Sequence, residues 1–206
     1  CMPATPCFVV STDLPVMPEL KAAAKAAHIP ILGTPLTSSR ILGNMTSYLV
    51  ARLAKRQSLH GVLVDIAGVG VLITGDSGVG KSETALELVR RGHRLVADDR
   101  VEVYARDEQT LVGEAPMILE HLMEIRGIGI INVMTLYGSG AVMPQDTIDL
   151  IVHLETWTPD THFDRLGDRG DTQMILDVEV PKVSVPVKTG RNLAIIIESA
   201  AMNYRA

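Results

Sequence analysis

The chain has 206 residues, of which 47% are hydrophobic and 21% are charged, a composition typical of a globular domain rather than of a disordered segment. Nineteen Lys and Arg against 24 Asp and Glu give a net charge of −5, which excludes a globally basic surface for nucleic acid. Aromatic residues make up only 3%, and no apolar run reaches the roughly 18 residues of a membrane-spanning helix, so we expect neither a nucleic-acid partner nor a membrane location.

The first part of the chain, residues 1–50, alternates short apolar segments with Ala-rich or amphipathic ones, and Pro and Gly stand between them. This pattern predicts a β-α-β-α order and includes no catalytic motif. The predicted elements are a strand at Phe8–Val10, a helix at about Glu19–Ala27, a strand at Ile29–Leu32 and a helix at about Ser39–Lys55. The polar residues Lys55–Ser58 predict a short linker to the second part of the chain.

From His60 onward the apolar runs are denser and predict a larger α/β domain over residues 51–206. A turn at Ala67-Gly68 joins its first two predicted strands, Gly92 stops its first helix, and the polar stretch Thr158–Asp171 predicts a surface loop. The predicted strands are Gly61–Asp65, Val69–Thr74, Arg94–Ala97, Val101–Ala105, Ile128–Asn132, Thr147–Leu154, Thr172–Val178 and Lys182–Val187, and the predicted helices are about Gly80–Arg91 and Leu193–Tyr204.

The two cysteines, Cys1 and Cys7, lie close together without the second Cys or His pair that a zinc site needs. We interpret them as reduced thiols of a cytoplasmic protein, since the opening residues also lack the basic and apolar regions of a signal peptide. Because the chain begins with Cys rather than Met, we expect it to be a fragment.

The most specific motif spans residues 75–82 and satisfies the pattern G-x-x-x-x-G-K-[ST] throughout. It follows an apolar strand and opens a helix, so backbone N–H groups and the positive end of the helix dipole surround an anion. In this arrangement the Lys neutralises the β and γ phosphates and the final Ser hydroxyl ligates Mg²⁺. The predicted phosphate-binding residues are Gly75, Asp76, Ser77, Gly78, Val79, Gly80, Lys81 and Ser82.

Two adjacent carboxylates, Asp98 and Asp99, end an apolar strand only 17 residues after Lys81. One could hold Mg²⁺ through water while the other takes the proton of an attacking hydroxyl, although a solvated acidic turn is the alternative. Neighbouring residues of an extended strand point to opposite sides, so both can face one substrate only if the chain turns just after Ala97.

Four further residues are candidates for the same chemistry, each with a plain structural alternative. His60 is expected to begin the strand of the hairpin that leads into the phosphate loop, so it could lie near the γ phosphate, or it could be purely structural. Glu124 and Arg126 are expected to share one side of a strand, where they could bind metal and phosphate or form an ordinary ion pair. Arg165, in the polar loop, could bring a positive charge to the transferred phosphoryl group or be merely solvated.

Taken together, these segments resemble the HPr kinase/phosphorylase family of bacterial carbon-catabolite regulators. The resemblance spans residues 60–192, and the first 50 or so residues resemble the end of the family's N-terminal domain. The matching segments are His60–Asp65, Gly75–Glu83, Arg91–Arg100, Glu124–Val133, Phe163–Gly167 and Pro186–Asn192.

The resemblance implies a P-loop kinase domain, similar in fold to phosphoenolpyruvate carboxykinase, at residues 51–206. A fragment of a small α/β N-terminal domain precedes it at residues 1–50, and the chain stops short of the C-terminal helix that is expected to help dock HPr. The implied activity uses ATP or pyrophosphate, with Mg²⁺, to phosphorylate a serine of HPr. It also reverses the reaction, with inorganic phosphate attacking phosphoseryl-HPr to give pyrophosphate. A homohexamer tuned by fructose 1,6-bisphosphate is implied as well.

The resemblance also implies roles for individual residues. Lys81 would be catalytic, Ser82 and Glu124 would hold Mg²⁺, and Asp99 would accept the serine proton and return it in the reverse reaction. Asp98, His60 and Arg126 would assist, Arg165 matches the family's catalytic arginine, and Lys188 and Arg191 lie in a segment associated with dephosphorylation.

Two other classes of function remain open at this stage. One is a carboxykinase-like kinase of a small metabolite, although the sequence shows no further basic cluster for such a substrate. The other is a nucleotide-gated switch, but the guanine-reading motif N-K-x-D does not occur. The phosphoryl acceptor distinguishes the three functions. A switch needs no acceptor, a metabolite kinase needs a small molecule, and a kinase of HPr needs a folded protein that carries a serine.

Overall fold

The computed structural model describes residues 5–156, 171–188 and 190–205. The chain divides into two units, residues 1–53 and residues 54–206. None of the helices in the described residues has the length and apolar character needed to cross a membrane.

The first unit has the β-α-β-α order that its sequence pattern predicts. Strand β1 (Phe8–Val10) pairs in parallel with β2 (Ile31–Gly33), and helix α1 (Pro18–Ala26) connects them. Pro18 suits the start of α1, where a backbone N–H has no helical partner to lose. Helix α2 (Ser38–Leu53) follows β2 and ends the unit.

In the part of the chain that the structure describes, the second unit contains three sheets. Its strands are β3 (Arg56–His60), β4 (Val62–Ile66), β5 (Val69–Gly75), β6 (Arg94–Ala97), β7 (Arg100–Ala105), β8 (Leu111–Glu114), β9 (Leu122–Ile125), β10 (Gly129–Asn132), β11 (Gln145–Thr147), β12 (Leu150–Thr156), β13 (Asp171–Ile175) and β14 (Val178–Val187). Its helices are α3 (Lys81–Arg90), α4 (Val133–Tyr137) and α5 (Leu193–Arg205).

The central sheet has six strands in the order β13-β14-β12-β5-β4-β6, and β12 runs parallel to both of its neighbours. A second, antiparallel sheet has the order β11-β8-β7-β3, while β9 and β10 form a separate hairpin. Because β3 is followed at once by β4, the chain passes from the second sheet to the central one between His60 and Val62.

The central sheet is apolar on both faces, which explains the dense apolar runs of the sequence. Val62 and Val64 of β4 face one side, in a cluster with Leu88 of α3 and Ile197 of α5. Leu63 faces the other side, in a cluster with residues of β7 and β8 such as Val101, Val103 and Leu111. Helices therefore cover one face and the four-stranded sheet covers the other.

The structure corrects the linker predicted at Lys55–Ser58. Residues 56–60 form the edge strand β3, which pairs antiparallel with β7. Its sequence is polar because the strand lies at a sheet edge, where an edge strand is commonly charged. Arg56 forms an ion pair with Glu114 and lies 4.9 Å from the centre of the Tyr104 ring, which fixes it to the sheet.

Three predicted strands also differ from the structure by several residues, and three elements were missed. The strand predicted at Lys182–Val187 is four residues longer and begins at Val178. Thr147–Leu154 is two strands in different sheets, β11 and β12, because the chain breaks where the Asp149 carboxylate accepts a hydrogen bond from Gly70 N. The strand predicted at Thr172–Val178 ends at Ile175, since Leu176 and Asp177 form a turn with positive φ. The missed elements are β8, β9 and the five-residue helix α4, which are too short for a clear periodic pattern.

Three carboxylates meet below the turn between β4 and β5. Asp146 Oδ2 is fully buried, and no donor among the described residues reaches it. Burial first, and then the negative charges of Asp65 and Asp149, raise the pKa of Asp146 to about 6. Arg94 forms an ion pair with Asp65 at 3.3 Å on the outer side of this cluster.

This cluster predicts a stability that falls as the pH rises. The folded chain binds the Asp146 proton more tightly than the unfolded chain, whose Asp pKa is about 3.9. The contribution of protonated Asp146 to the free energy of unfolding is therefore complete below about pH 4 and is lost as the pH rises through about 6. In Asp146→Asn the neutral amide can donate to Asp65. We expect this variant to be more stable than the unaltered chain at pH 8 and to lose that advantage at pH 4, measured by urea unfolding.

The matched control is Asp177→Asn, which changes an exposed carboxylate in the turn before β14. An advantage of Asp146→Asn that is equal at pH 4 and pH 8 would contradict the assignment of the proton to Asp146.

Candidate active site

A cavity of about 310 Å³ lies where the end of β5, the start of α3, the end of β6 and the β9–β10 hairpin meet. Of its fifteen lining residues, all but Val62 and Ile125 are polar, charged or glycine, which suits a charged ligand. It is lined by His60, Val62, Ser77, Gly78, Gly80, Lys81, Ser82, Glu83, Asp98, Asp99, Glu124, Ile125, Arg126, Gly127 and Gly129.

The loop from β5 to α3 needs glycine at two positions for different reasons. At Gly75, φ is +140° and a Cβ would lie 2.5 Å from the carbonyl oxygen of Leu154 on β12. At Gly78, φ is +81° and a Cβ would lie 2.9 Å from the guanidinium of Arg126. Glycine therefore allows the loop to follow β12 closely and allows the Arg126 side chain to lie against the loop.

Lys81, the first residue of α3, is curled back onto this loop. Its side chain is buried, and Nζ donates hydrogen bonds to the carbonyl oxygens of Gly75 at 2.8 Å and Asp76 at 2.9 Å. The ammonium group thus lies beside the positive end of the α3 dipole. Together they form an anion-binding site of the kind found at helix N-termini.

Asp98 connects three elements around the cavity. It follows β6 and is only 4% exposed. One carboxylate oxygen accepts a hydrogen bond from Ser82 Oγ at 2.8 Å, and the other accepts one from the backbone N–H of Glu124 at 3.0 Å. Burial raises the pKa of Asp98, and these two hydrogen bonds oppose the rise because they stabilise the ionised form.

Asp99 lies beside Asp98 but in a different environment. Its φ of +62° places it in the left-handed region, and Arg100 N donates to Asp98 O at 2.7 Å across the turn. The chain therefore turns after Ala97, which brings both carboxylates to one cavity as the sequence requires. The Asp99 side chain is 64% exposed, and its carboxylate lies 3.2 Å from His60 Nδ1.

Glu124 and Arg126 both line the cavity but do not share a strand. Glu124 belongs to β9, whereas Arg126 follows its last residue, Ile125, and lies in the turn to β10. This turn is what brings the guanidinium over Gly78, so the expectation of one strand face was wrong. The ion-pair alternative also finds no support among the hydrogen bonds and ion pairs of the described residues.

Five of the other predicted site residues that the structure describes do not line this cavity: Gly75, Asp76, Val79, Lys188 and Arg191. Arg165 lies outside the described residues. Lys188 follows β14, and its carbonyl oxygen accepts a hydrogen bond from Arg191 N at 3.2 Å. Arg191 lines a second cavity of about 550 Å³ beside the first turn of α3. Glu83 lines both cavities and was not among the predicted site residues, although its place directly after Ser82 could have indicated it.

The donor set around Ser82 fits a magnesium ion. Ser82 contributes a hydroxyl and Glu124 a carboxylate, and oxygen ligands of this type are those that Mg²⁺ prefers. No group of three or more His, Cys, Asp or Glu among the described residues could hold a metal ion by itself. Mg²⁺ commonly binds one or two protein groups and takes its other ligands from phosphates and water.

Comparison with known proteins identifies the family of the chain. A family model described as the HPr Serine kinase C-terminal domain matches residues 51–206, and one described as the HPr Serine kinase N terminus matches residues 1–49. The chain belongs to the HPr serine kinase family. The resemblance seen in the sequence is thereby confirmed, as is a mixed α/β fold made of an N-terminal fragment and a C-terminal domain.

Similar proteins carry the name HPr kinase/phosphorylase. That of Limosilactobacillus reuteri strain DSM 20016 is 83% identical over 206 residues, which are 100% of this chain and 64% of the relative. That of Levilactobacillus brevis is 70% identical over 206 residues, 100% of this chain and 66% of the relative. The chain thus spans slightly less than two thirds of the length of these relatives.

A solved structure, the Hpr(Ser) kinase/phosphatase from Coxiella burnetii, is similar with a TM-score of 0.68 and 37% identity. The match covers 72% of this chain and 90% of that structure. The likeness to phosphoenolpyruvate carboxykinase stays a prediction.

The close approach of the loop to β12 predicts that Gly75→Ala destabilises the chain by about 2 kcal/mol or more, because a new Cβ meets a backbone oxygen that cannot turn away. Gly80→Ala is the matched control, since φ there is +97° but a Cβ meets nothing within 4 Å. Urea unfolding measures both. Equal losses in the two variants would show that backbone strain alone, and not the contact with Leu154, makes glycine necessary at residue 75.

Proposed function

We propose that this chain is the catalytic part of an enzyme that transfers a phosphoryl group from ATP or pyrophosphate to a serine of HPr. In the reverse direction it uses inorganic phosphate to remove that group as pyrophosphate, and the balance sets carbon catabolite repression in the bacterial cytoplasm. One observation carries the proposal: the anion site at Lys81 and the exposed Asp99 carboxylate open into the same 310 Å³ cavity. The names of the relatives favour a protein acceptor over a small metabolite.

The phosphate loop is proposed to bind the donor. Its backbone N–H groups and Lys81 offset the charge of the β and γ phosphates, or of pyrophosphate. Ser82 and Glu124 are the residues that would hold Mg²⁺, and Arg126, which lies over Gly78, is well placed to contact a phosphate in the loop. When bound, Mg²⁺ supplies positive charge that stabilises the phosphates as the bond to the donor breaks.

The environments of the two aspartates divide their roles. Both oxygens of Asp98 are occupied by hydrogen bonds from neighbouring elements, so this residue holds Ser82 and the β9 backbone in place. Asp99 has an exposed carboxylate, so it can accept a proton from an incoming serine hydroxyl. His60 Nδ1 lies 3.2 Å from that carboxylate, so the imidazole can orient the carboxylate toward the serine hydroxyl.

Both reactions then use the same residues. In the forward direction the serine oxygen forms a bond to phosphorus, its proton passes to Asp99, and the bond to the ADP or phosphate leaving group breaks. In the reverse direction a phosphate oxygen attacks the phosphoserine phosphorus, and the departing serine oxygen takes the proton back from Asp99. Microscopic reversibility requires that the acceptor in one direction be the donor in the other.

Further roles rest on the family resemblance. Arg165 is proposed to stabilise the transferred phosphoryl group, and Lys188 and Arg191 to serve phosphorolysis. The cavity that Arg191 lines shares Glu83 with the phosphate cavity, which supports a place for this segment near the reaction. A homohexamer and regulation by fructose 1,6-bisphosphate belong to the same proposal.

Two variants separate donor binding from proton transfer. Lys81→Ala should weaken Mg-ATP binding about tenfold or more, because it removes a charged group from the phosphate site. Asp99→Asn should leave Mg-ATP binding nearly unchanged but lower both HPr phosphorylation and phosphorolysis by at least about 100-fold, because the amide cannot take the proton. Calorimetry measures binding, and the mass of HPr measures transfer in each direction.

Asp177→Asn, remote from the cavity in the turn before β14, serves as the control and should change neither measurement. If Asp99→Asn kept either activity at the unaltered rate, a single carboxylate could not be serving both directions.

A further inference from the structure

A row of polar side chains crosses the central sheet just below the phosphate loop, outside the cavity already described. Thr74 of β5 and His153 of β12 are partners in register, and so are His153 and Ser184 of β14. Leu72 and Ile151, which precede Thr74 and His153 by two residues, belong to the cluster beneath the four-stranded sheet. Alternation along the strands therefore places Thr74 and His153 on that face.

Two hydrogen bonds lie within the row, and a longer contact lies between them. Thr74 Oγ1 and His153 Nδ1 lie 2.9 Å apart. On the other side of the ring, His153 Nε2 lies 4.0 Å from Glu155 Oε1, which accepts a hydrogen bond from Ser184 Oγ at 3.0 Å. Either the Thr74 hydroxyl or Nδ1 can be the donor of the bond between them, according to the tautomer of the ring.

Thr74 lies beside two segments of the site, one that contacts Lys81 and one that contacts Asp99. It directly precedes Gly75, whose carbonyl oxygen holds Lys81 Nζ at 2.8 Å. It also packs beside Gly61, where a Cβ would lie 3.6 Å from Thr74 Cγ2. Gly61 follows His60 and donates its N–H to the carbonyl oxygen of Asp99 at 3.1 Å.

We propose that His153 is a positioning residue of the phosphoryl-transfer site, acting through its hydrogen bond to Thr74. The bond holds the end of β5 against β12, at the place where the loop passes closest to the Leu154 carbonyl oxygen. In this way it fixes the carbonyl groups that orient Lys81. The inference rests on the proposed function and adds a residue of β12 that lies outside the cavity.

The test compares Mg-ATP binding by calorimetry in variants of this pair. Thr74→Val keeps the shape of the side chain and removes the hydroxyl, and His153→Leu removes the ring nitrogens. We expect each to raise the Kd of Mg-ATP about three- to tenfold, which corresponds to the loss of one hydrogen bond. The double variant should be no worse than either single one, because both changes break the same bond.

Conservative variants distinguish positioning from a general loss of packing. Thr74→Ser keeps the hydroxyl and His153→Asn keeps a polar atom near the place of Nδ1, so both should bind Mg-ATP within about twofold of the unaltered chain. Thr172→Val is the matched control, because it makes the same change as Thr74→Val at an exposed hydroxyl of β13 that bonds Glu179, outside the row. Thermal unfolding checks that each variant is folded.

Two results would overturn the inference: unchanged Mg-ATP binding in Thr74→Val, or losses that add in the double variant. Failure of the conservative variants to restore binding would likewise reduce His153 to a packing residue. If the unaltered chain itself bound no Mg-ATP, the proposed function would fail. If the unaltered chain bound Mg-ATP and Thr74→Val bound it equally well, only the inference about His153 would fail, so the two failures are distinguishable.

Discussion

The site depends on one buried carboxylate, Asp98. Its two oxygens accept hydrogen bonds from Ser82 on α3 and from the backbone of Glu124 on β9, the two residues proposed to hold Mg²⁺. Burial alone would favour the neutral acid, and the two hydrogen bonds are what compensate the ionised form. Asp98 therefore couples helix, sheet and hairpin, and any movement among these three elements would change the geometry of the metal ligands.

The second constraint is the backbone turn at Asp99. Without it, neighbouring side chains of a strand would point to opposite faces, and only one carboxylate could reach the cavity. The left-handed conformation at Asp99 turns both toward the same space while leaving one buried and the other exposed. One dipeptide thus supplies a buried carboxylate that holds its neighbours and an exposed one, and the proposed reversible transfer needs both.

The sequence predicted the parts of this architecture that are locally encoded. The phosphate motif, the long apolar strands and helix α3 each have a pattern that depends only on near neighbours. Features that depend on distant contacts were missed. Residues 56–60 looked like a linker because an edge strand needs no apolar alternation. Arg126 lies in the turn after its expected strand, and its contact with Gly78 joins residues that are far apart in the sequence. His153 has no signal of its own, since its partner Thr74 is 79 residues away.

The most direct test of a single cavity serving both reactions follows the mass of HPr during incubation with this chain, Mg²⁺ and ATP, then adds inorganic phosphate and measures pyrophosphate. The Limosilactobacillus reuteri relative serves as the positive control. We expect the gain of one phosphoryl group on an HPr serine, followed by its removal with release of an equal amount of pyrophosphate. Phosphorylation that phosphate cannot reverse, or ATP hydrolysis without transfer to HPr while the relative transfers normally, would contradict the shared cavity.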